Sequence, residues 1–328
     1  MTPVPPPAPC DNRAMRTMVG VLACLSLGAA AVPPASARQA VPAGQAATPD
    51  PVDLARQARR LNLEGRLAES LALYNQALAR EPGLFEAHLG IGIVLDLEGR
   101  YADARRHFAK AIEVAPEEAK PQALTAMGVS FAFGHDAPGA ARFYQQVFDR
   151  HMAAADYAGA AEDANALGRV FLEAGDTDDA YRWYETGFET ARRQKGASSA
   201  DADLRDLRWA HAQARIAARR GDAAEARRQT AVVKALVDKG SNPDQAIQYP
   251  YLSGYVDFYL KDYAGAIVAL QQADARDPFI QVLLARALEK SGQAASAREH
   301  YRKVLESNAH SPNNAFARPL ARKKLGAR

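Results

Sequence analysis

Cysteine is nearly absent from this chain of 328 residues. Only Cys10 and Cys24 occur, so the sequence beyond them cannot form a disulfide, and its stability has to come from packing. The histidines are scattered, and they show neither an HxxxH spacing nor a nearby cysteine. These gaps exclude the common zinc-binding patterns. No metal and no cofactor is therefore expected.

The chain also lacks an excess of charge of one sign. It carries 41 Lys and Arg residues against 38 Asp and Glu residues, a formal net charge of +3. Proteins that bind nucleic acid usually concentrate positive charge, so nucleic acid is not an expected partner. The apolar content of 48% and the charged content of 24% are ordinary for a folded, globular chain.

Catalytic motifs are missing as well. Ser253 precedes Gly254, but the flanking glycine and the preceding strand of a nucleophile elbow are absent. No glycine-rich phosphate loop follows a predicted strand, because no convincing strand is predicted at all. We therefore do not expect an enzyme.

One long apolar run is present, near the N-terminus. It spans residues 18–32, follows Arg13 and Arg16, and precedes the small residues Ala35, Ser36 and Ala37. A positive start, an apolar stretch and a small-x-small site in this order are typical of a secretory signal peptide. The sequence thus predicts an exported protein, periplasmic or extracellular, with a signal peptide over 1–37 and a flexible leader over 38–50.

Three alternatives stay open for this segment. Translation could begin at Met15, which would remove the proline-rich start. The apolar run could remain as an uncleaved membrane anchor, although it is short for a bilayer span. Val21-Leu22-Ala23-Cys24 resembles a bacterial lipobox, which would make Cys24 the site of a lipid anchor.

Short turn signals recur along the rest of the chain, each between two apolar helical patterns. Their equivalent points are separated by 34, 36, 40, 46, 40 and 31 residues. These points are Gly65, Gly99, His135, Gly175, Gly221, Lys261 and Gly292. The sequence therefore predicts a helical repeat of about 34 residues, lengthened by insertions.

The units share a small residue in the first helix, a turn and a second small residue, and five of the seven have an aromatic residue four positions later. The fifth unit departs from the pattern, with Thr230 at the aromatic position. In the second unit these features are Gly92, Leu95, Gly99-Arg100-Tyr101, Ala104, Phe108, Ala111 and Pro116. The pattern resembles that of the tetratricopeptide repeat (TPR) family, from about Pro51 to Ser311. This resemblance implies an all-α fold, a right-handed superhelical solenoid of about seven antiparallel helix pairs.

The repeat pattern divides the chain into units near 51–84, 85–118, 121–154, 161–194, 207–240, 247–278 and 278–311. Residues 312–328 are predicted to form a C-terminal capping helix and a basic tail. Phe316, Leu320 and Leu325 would shield the last unit from solvent. Arg318 and the basic residues after it would form the polar face of this helix.

In TPR proteins the first helices of successive units line a concave groove, and the resemblance implies a set of groove residues here. They are Asn165, Arg169, Arg208, His211, Arg215, Arg219, Tyr251, Tyr255 and Tyr259. Guanidinium groups beside aromatic rings suit an acidic peptide or protein, through bidentate pairing and stacking. The lysine and asparagine clamp of chaperone-binding TPR domains is not matched, since Ala55 and Arg59 stand in its place.

The function expected from this sequence is that of a non-catalytic scaffold or adaptor that binds a protein or peptide in the groove. The alternative is a membrane- or lipid-anchored assembly factor of a cell-envelope machine, such as a pilus or a secretion complex. Homo-oligomers are compatible with the fold, because the end units expose helix faces. For Arg208, Arg215 and Arg219, a second interpretation is a solvated helix face without function.

Overall fold

A computed structural model describes residues 49–326 of the chain. In this range it contains fifteen α-helices, two 3₁₀ helices and no strand. In chain order the helices are α1 (Pro51–Leu63), α2 (Leu67–Arg80), α3 (Phe85–Leu97), α4 (Tyr101–Val114), α5 (Lys120–Phe133), α6 (Ala137–Ala153), α7 (Tyr157–Ala174), α8 (Thr177–Ala191), α9 (Ser199–Arg220), α10 (Ala223–Lys239), α11 (Gln248–Tyr259), α12 (Tyr263–Leu270), α13 (Pro278–Lys290), α14 (Ala294–Glu306) and α15 (Pro312–Leu325). The 3₁₀ helices span Glu117–Ala119 and Pro243–Ile247.

The first fourteen helices form seven pairs, and each helix packs on its neighbours in the chain. The prediction of an all-α solenoid of helix pairs is confirmed. The odd-numbered helices α3, α5 and α13 contain long runs of buried residues, whereas their partners bury only one stripe. A helix that is apolar nearly all round lies between other elements. The first helix of a pair is therefore the more enclosed one.

The turns inside the pairs share one backbone conformation. All seven positions that mark the repeat in the sequence have a positive φ, and His135 and Lys261 do so although they are not glycine. A left-handed residue ends a helix and satisfies its last carbonyl groups. For Gly175 and Gly221 the N–H group donates back to Leu172 and Ala218 at 3.1 Å each. The turn signals therefore mark real helix ends.

Aromatic residues of the second helices pack against glycines of the first helices. A Cβ atom added to Gly168 would lie 2.8 Å from the Tyr184 ring, and one added to Gly92 would lie 2.5 Å from the Phe108 ring. These rings therefore fill space within their own helix pair. Tyr74 is different, because its ring lies against Gly90 of the following pair.

Two proline positions play different parts. Pro116 follows the end of α4. Pro278 is the first residue of α13, whereas the preceding helix α12 stops at Leu270. The fixed φ of proline and its missing N–H suit the first position of a helix, which explains the placement.

The C-terminal helix α15 packs on α13 and α14, and Phe316, Leu320 and Leu325 lie against the apolar core there. It also packs on α5 and α7. The helix thus covers the last pair, and its contacts with α5 and α7 go beyond the predicted cap. It crosses the face formed by the first helices, here called the inner face, and connects the last pair to the third and fourth pairs.

Arg318 is the main polar anchor of α15, and its predicted place on an exposed polar face is wrong. Its side chain is only 6% exposed. The guanidinium donates to the backbone carbonyl of Leu97 at 2.9 Å and to those of Leu305 and Ser307 at 3.1 and 2.8 Å. Burial, together with the neighbouring Arg322, lowers the pKa of Arg318 to about 10. The group is still charged at neutral pH and satisfies helix-end carbonyls that packing would otherwise leave unpaired.

The predicted signal peptide, the leader up to residue 48 and Cys24 lie outside the described residues. Between residues 49 and 326, no helix has both the length and the apolar character needed to cross a bilayer.

Candidate functional site

A cavity opens on the inner face between the fourth, fifth and sixth helix pairs. It encloses about 360 Å³ and is walled by α7, α9, α11, the 3₁₀ helix before α11 and the start of α15. Six of the predicted groove residues line it: Asn165, Arg169, Arg208, His211, Arg215 and Tyr251. We call this cavity the cationic chamber.

Positive charge in the chamber is only partly balanced. Arg208 forms an ion pair with Glu162 at 3.5 Å, and both side chains are well exposed. Neither Arg169 nor Arg215 lies within ion-pair distance of any carboxylate belonging to residues 49–326. An exposed pair at this distance is weak, so the chamber presents a net positive surface.

Arg215 forms the buried base of the chamber. It is only 6% exposed, which excludes the interpretation of this residue as part of a solvated helix face. Its Nη2 donates to the hydroxyl of Tyr184 at 2.9 Å, and its guanidinium lies 5.3 Å from the centre of that ring. Tyr184 comes from α8 and packs against Gly168 of α7. The same aromatic position that holds the helix pair together thus orients the cation.

Three polar atoms in the chamber wall have no hydrogen-bond partner in the described part of the chain. They are the Nε of Arg169, the Nε2 of His211 and the hydroxyl of Tyr251. Tyr251 is only 5% exposed, so its hydroxyl is deeply buried. Buried polar groups without partners are uncommon and costly. Their concentration in one cavity indicates a place where a bound group would supply the missing bonds.

His211 lies near the positive charges of Arg169 and Arg215. Burial lowers the pKa of His211 well below its usual value, and the charges of Arg215 and Arg169 lower it further. The imidazole is therefore neutral at neutral pH, and it offers one donor and one acceptor. Its ring lies 5.7 Å from the ring of Tyr251, centre to centre.

The remaining three predicted residues lie elsewhere. Arg219 donates Nε to the Tyr255 hydroxyl at 2.8 Å, and its Nη2 pairs with Glu173. The Tyr255 hydroxyl donates to the other Glu173 oxygen at 3.1 Å, and its side chain has no exposed surface. The guanidinium of Arg219 lies 4.2 Å from the Tyr259 ring centre. These groups satisfy one another, so they form a buried structural cluster and not an open groove.

Arg219 and Tyr259 also border a second cavity, of about 470 Å³, together with Phe279, Arg286 and Phe316. Phe279 stands between this cavity and the chamber, since the Arg169 guanidinium lies 4.8 Å from its ring centre. The nine predicted residues therefore do not share one surface. The structure divides them between the chamber, the second cavity and the core.

Among the chamber residues outside the predicted set are four with uncharged hydrogen-bonding side chains. Tyr184 looks like an ordinary packing residue of the repeat, and Asn313 looks like part of a cap. Gln245 and Gln248 lie where an insertion hides the repeat pattern. Asn313 reaches the chamber only because α15 crosses the inner face, which no local signal reveals.

Models of the tetratricopeptide repeat match residues 61–128, 164–186 and 280–311. A comparison with curated protein sequences gives no match. Among solved structures, a tetratricopeptide repeat protein from Parabacteroides merdae ATCC 43184 is 13% identical, with a TM-score of 0.49 over 77% of this chain and 91% of that one. TPR-like repeats from Podosopora anserina are 14% identical, with a TM-score of 0.48 over 58% of this chain and 96% of that one.

The Cut9-Hcn1 hetero-tetramer of the APC/C contains a chain that is 20% identical, with a TM-score of 0.41 over 84% of this chain and 48% of that one. The repeat matches fall in the first, fourth and seventh helix pairs and extend from the first pair into the third. These segments of the chain are therefore similar to tetratricopeptide repeats, in agreement with the sequence pattern.

Proposed function

We propose that this protein is a non-catalytic scaffold that holds an acidic segment of a partner protein on the inner face, at the cationic chamber. TPR folds generally mediate protein–protein interactions. The observation that carries the proposal is the pair of guanidinium groups of Arg169 and Arg215, which line one cavity and form no ion pair with any carboxylate of the described residues. Unbalanced charge on a concave surface attracts a partner of opposite sign and guides its approach.

The surroundings of the chamber suit a short polypeptide segment. A flanking cavity of about 220 Å³ shares Glu162, Asn165, Tyr184 and Arg208 with the chamber. Phe188 and Trp209 line that flanking cavity, and their rings stack at 5.4 Å. A segment with an acidic side chain in the chamber could therefore place an apolar side chain beside these rings. Aromatic anchors next to arginine are common centres of binding energy.

The rim of the chamber carries side-chain amides: Asn165, Gln245, Gln248 and Asn313. Each amide offers both donors and acceptors, which matches the alternating groups of a peptide backbone. Catalysis is not part of the proposal, because His211 makes no hydrogen bond to a nucleophile or to an orienting carboxylate in residues 49–326. A base in a catalytic pair or triad makes such bonds.

The exported location is part of the proposal and is supported by the N-terminal sequence pattern alone. An anchored assembly factor is the alternative that the same pattern leaves open. Partitioning of the protein into a detergent phase separates the two, because a cleaved and unlipidated chain stays in the aqueous phase.

The test reverses one charge at the chamber and one outside it. Arg208→Glu changes an exposed chamber residue that faces Glu162, and Arg228→Glu changes an exposed residue of α10 that faces Glu225 and lines none of the described cavities. Each reversal creates one pair of like charges at an exposed position, so we expect the two variants to lose similar amounts of folding stability. Proteins captured from extract by the tagged wild type should be lost with Arg208→Glu and retained with Arg228→Glu. Equal capture by both variants would place binding elsewhere.

A further inference from the structure

We propose that the cationic chamber is an anchor site for a single carboxylate, which bridges Arg169 and Arg215 and accepts a hydrogen bond from Tyr251. This inference names the chemical group that the proposed partner presents, and in that sense it rests on the proposed function. It makes a separate claim, however, because a carboxylate can be tested in the absence of any protein partner.

The first argument concerns charge. Arg215 is buried, and its hydrogen bonds go to the neutral groups Tyr184 hydroxyl and, at 3.4 Å, the His211 carbonyl. Within the described residues, Arg169 contacts a ring and has an unpaired Nε. Arg215 is a buried cation without an ion pair, offset only by the more distant charge of Glu173, and Arg169 is half-buried. An anion between the two guanidinium groups therefore lowers the cost of burying positive charge here. The fork of N–H groups on arginine matches the two oxygens of a carboxylate.

The second argument concerns the helix ends around the chamber. Both α11 and α15 begin there, with Gln248 and Pro312 in the lining. The N-terminus of a helix carries a partial positive charge and favours an anion. The first N–H group of α11 donates to carbonyls of the preceding 3₁₀ helix, and Ser311 caps α15. The two helix ends therefore contribute only their dipoles, which have the same sign as the arginines.

The third argument is the unpartnered hydroxyl. Tyr251 is 5% exposed and lines the chamber, yet its hydroxyl has no partner in the described chain. The ring of neutral His211 lies beside that of Tyr251, and its Nε2 atom is also buried without a hydrogen-bond partner in the described chain. A carboxylate has enough lone pairs to accept from the tyrosine, the histidine and both arginines. A carboxylate in the chamber therefore supplies acceptors of the kind that the unpartnered donors of its wall require.

A carboxylate fits better than a phosphoryl group. Arginine by itself does not discriminate, since a guanidinium group pairs with phosphate as well as with carboxylate. Phosphate sites are often built from free backbone N–H groups at a helix start, whereas α15 begins with Pro312 and is capped by Ser311.

The test uses calorimetric titration of the purified full chain at constant ionic strength. The probes are sodium succinate, its neutral analogue succinamide and inorganic phosphate. Tyr251→Phe removes only the hydroxyl from the chamber. Tyr144→Phe is the matched control, because the Tyr144 hydroxyl is also buried and unpartnered but lines none of the described cavities. We expect one succinate per chain, no succinamide binding, weakening by about ten-fold in Tyr251→Phe and no change in Tyr144→Phe.

Absence of succinate binding, tighter binding of phosphate, or equal affinity of Tyr251→Phe and wild type would each overturn the inference. Two peptides then distinguish the sources of the carboxylate, acetyl-Gly-Ser-Glu-Ser-Gly-amide and its Gln counterpart. Tighter binding of the Glu peptide than of succinate supports both the inference and the proposed function. Binding of succinate alone supports the carboxylate site and contradicts a protein segment as its source. If partner capture depends on Arg208 but neither succinate nor the Glu peptide binds, the result supports the proposed function and refutes the carboxylate site.

Discussion

The imidazole of His310 lies 2.8 Å from the carboxylate of Asp96, Nε2 to Oδ2, and joins the segment before α15 to the end of α3. Both side chains are almost completely buried. The other Asp96 oxygen accepts a hydrogen bond from the Ser130 hydroxyl at 2.9 Å. The His310 ring also packs on Phe108 and Phe133, at 5.4 and 5.6 Å between ring centres. The C-terminal segment is thus fastened to the second and third helix pairs.

Removal of this contact should loosen α15. His310→Ala leaves the Asp96 carboxylate buried with one partner, and we expect a loss of roughly 3–5 kcal/mol in the free energy of unfolding. Hydrogen exchange of the α15 amides should accelerate more than that of α9. His310→Gln keeps a donor and should lose less. Unchanged urea unfolding and unchanged α15 exchange in His310→Ala would show that the contact does not hold the helix.

Replacement of Arg219 should destabilise the fold much more than replacement of Arg208. Arg219→Gln leaves Glu173 buried without its cation, so we expect a loss of more than about 3 kcal/mol by urea unfolding. Arg208→Gln removes a weak, exposed pair and should change stability by less than about 0.5 kcal/mol. Equal effects of the two substitutions would contradict the buried cluster.

Acid should destabilise the fold partly through His211. Its pKa is lowered by folding, so below the pKa of the unfolded chain the unfolded state binds more protons, and the free energy of unfolding falls as the pH falls. The charges that act on His211 are those of Arg169 from α7 and Arg215 from α9. Burial also lowers the pKa values of two other histidines, His107 and His300. Those two histidines remain in the variant, so a comparison isolates His211.

His211→Phe keeps a ring but cannot titrate. Urea unfolding at pH 7.5 and 5.5 should show a smaller loss for the variant than for wild type, by at most about 1.4 kcal/mol per pH unit. Equal losses in the two proteins would mean that the His211 imidazole is not held neutral by the fold.

The turn of the sixth pair offers a reciprocal test of backbone strain. Lys261 has a φ of +69°, so Lys261→Gly should raise the free energy of unfolding by about 0.5–1 kcal/mol. Gly292 occupies the same turn of the seventh pair with a φ of +79° and open space around its Cβ position. Gly292→Ala should therefore lose about 1 kcal/mol from strain alone. Thermal unfolding of both variants checks the two signs together, and the same sign in both would contradict the turn assignment.

The helix pairs could be predicted because their signals are local. Gly99 and Gly175 each separate two amphipathic helical patterns. A small residue and, four positions later, an aromatic residue follow such a turn at fixed spacing, as Ala180 and Tyr184 do after Gly175. Each of these residues acts on its own turn or on the adjacent helix. A single sequence therefore contains the information that determines them.

The path of α15 could not be predicted, because it depends on contacts between residues far apart in the chain. His310 meets Asp96 and Arg318 meets Leu97 only after seven pairs have stacked with a particular curvature. The burial of Arg215 has the same origin, since an arginine on a helix face is usually exposed. The structure places six of the nine predicted groove residues in one chamber. Asn313 and Gln248 also line this chamber, and the sequence did not predict their position there.

The measurement that tests the central claim most directly is selection from a random peptide library displayed against the purified protein. Because the partner is defined by its charge, the selected sequences should be enriched in Asp and Glu, and each should lose binding to Arg208→Glu while it retains binding to Arg228→Glu. Selected peptides without an acidic excess, or acidic peptides that bind both variants equally, would contradict a binding site for an acidic segment at the cationic chamber.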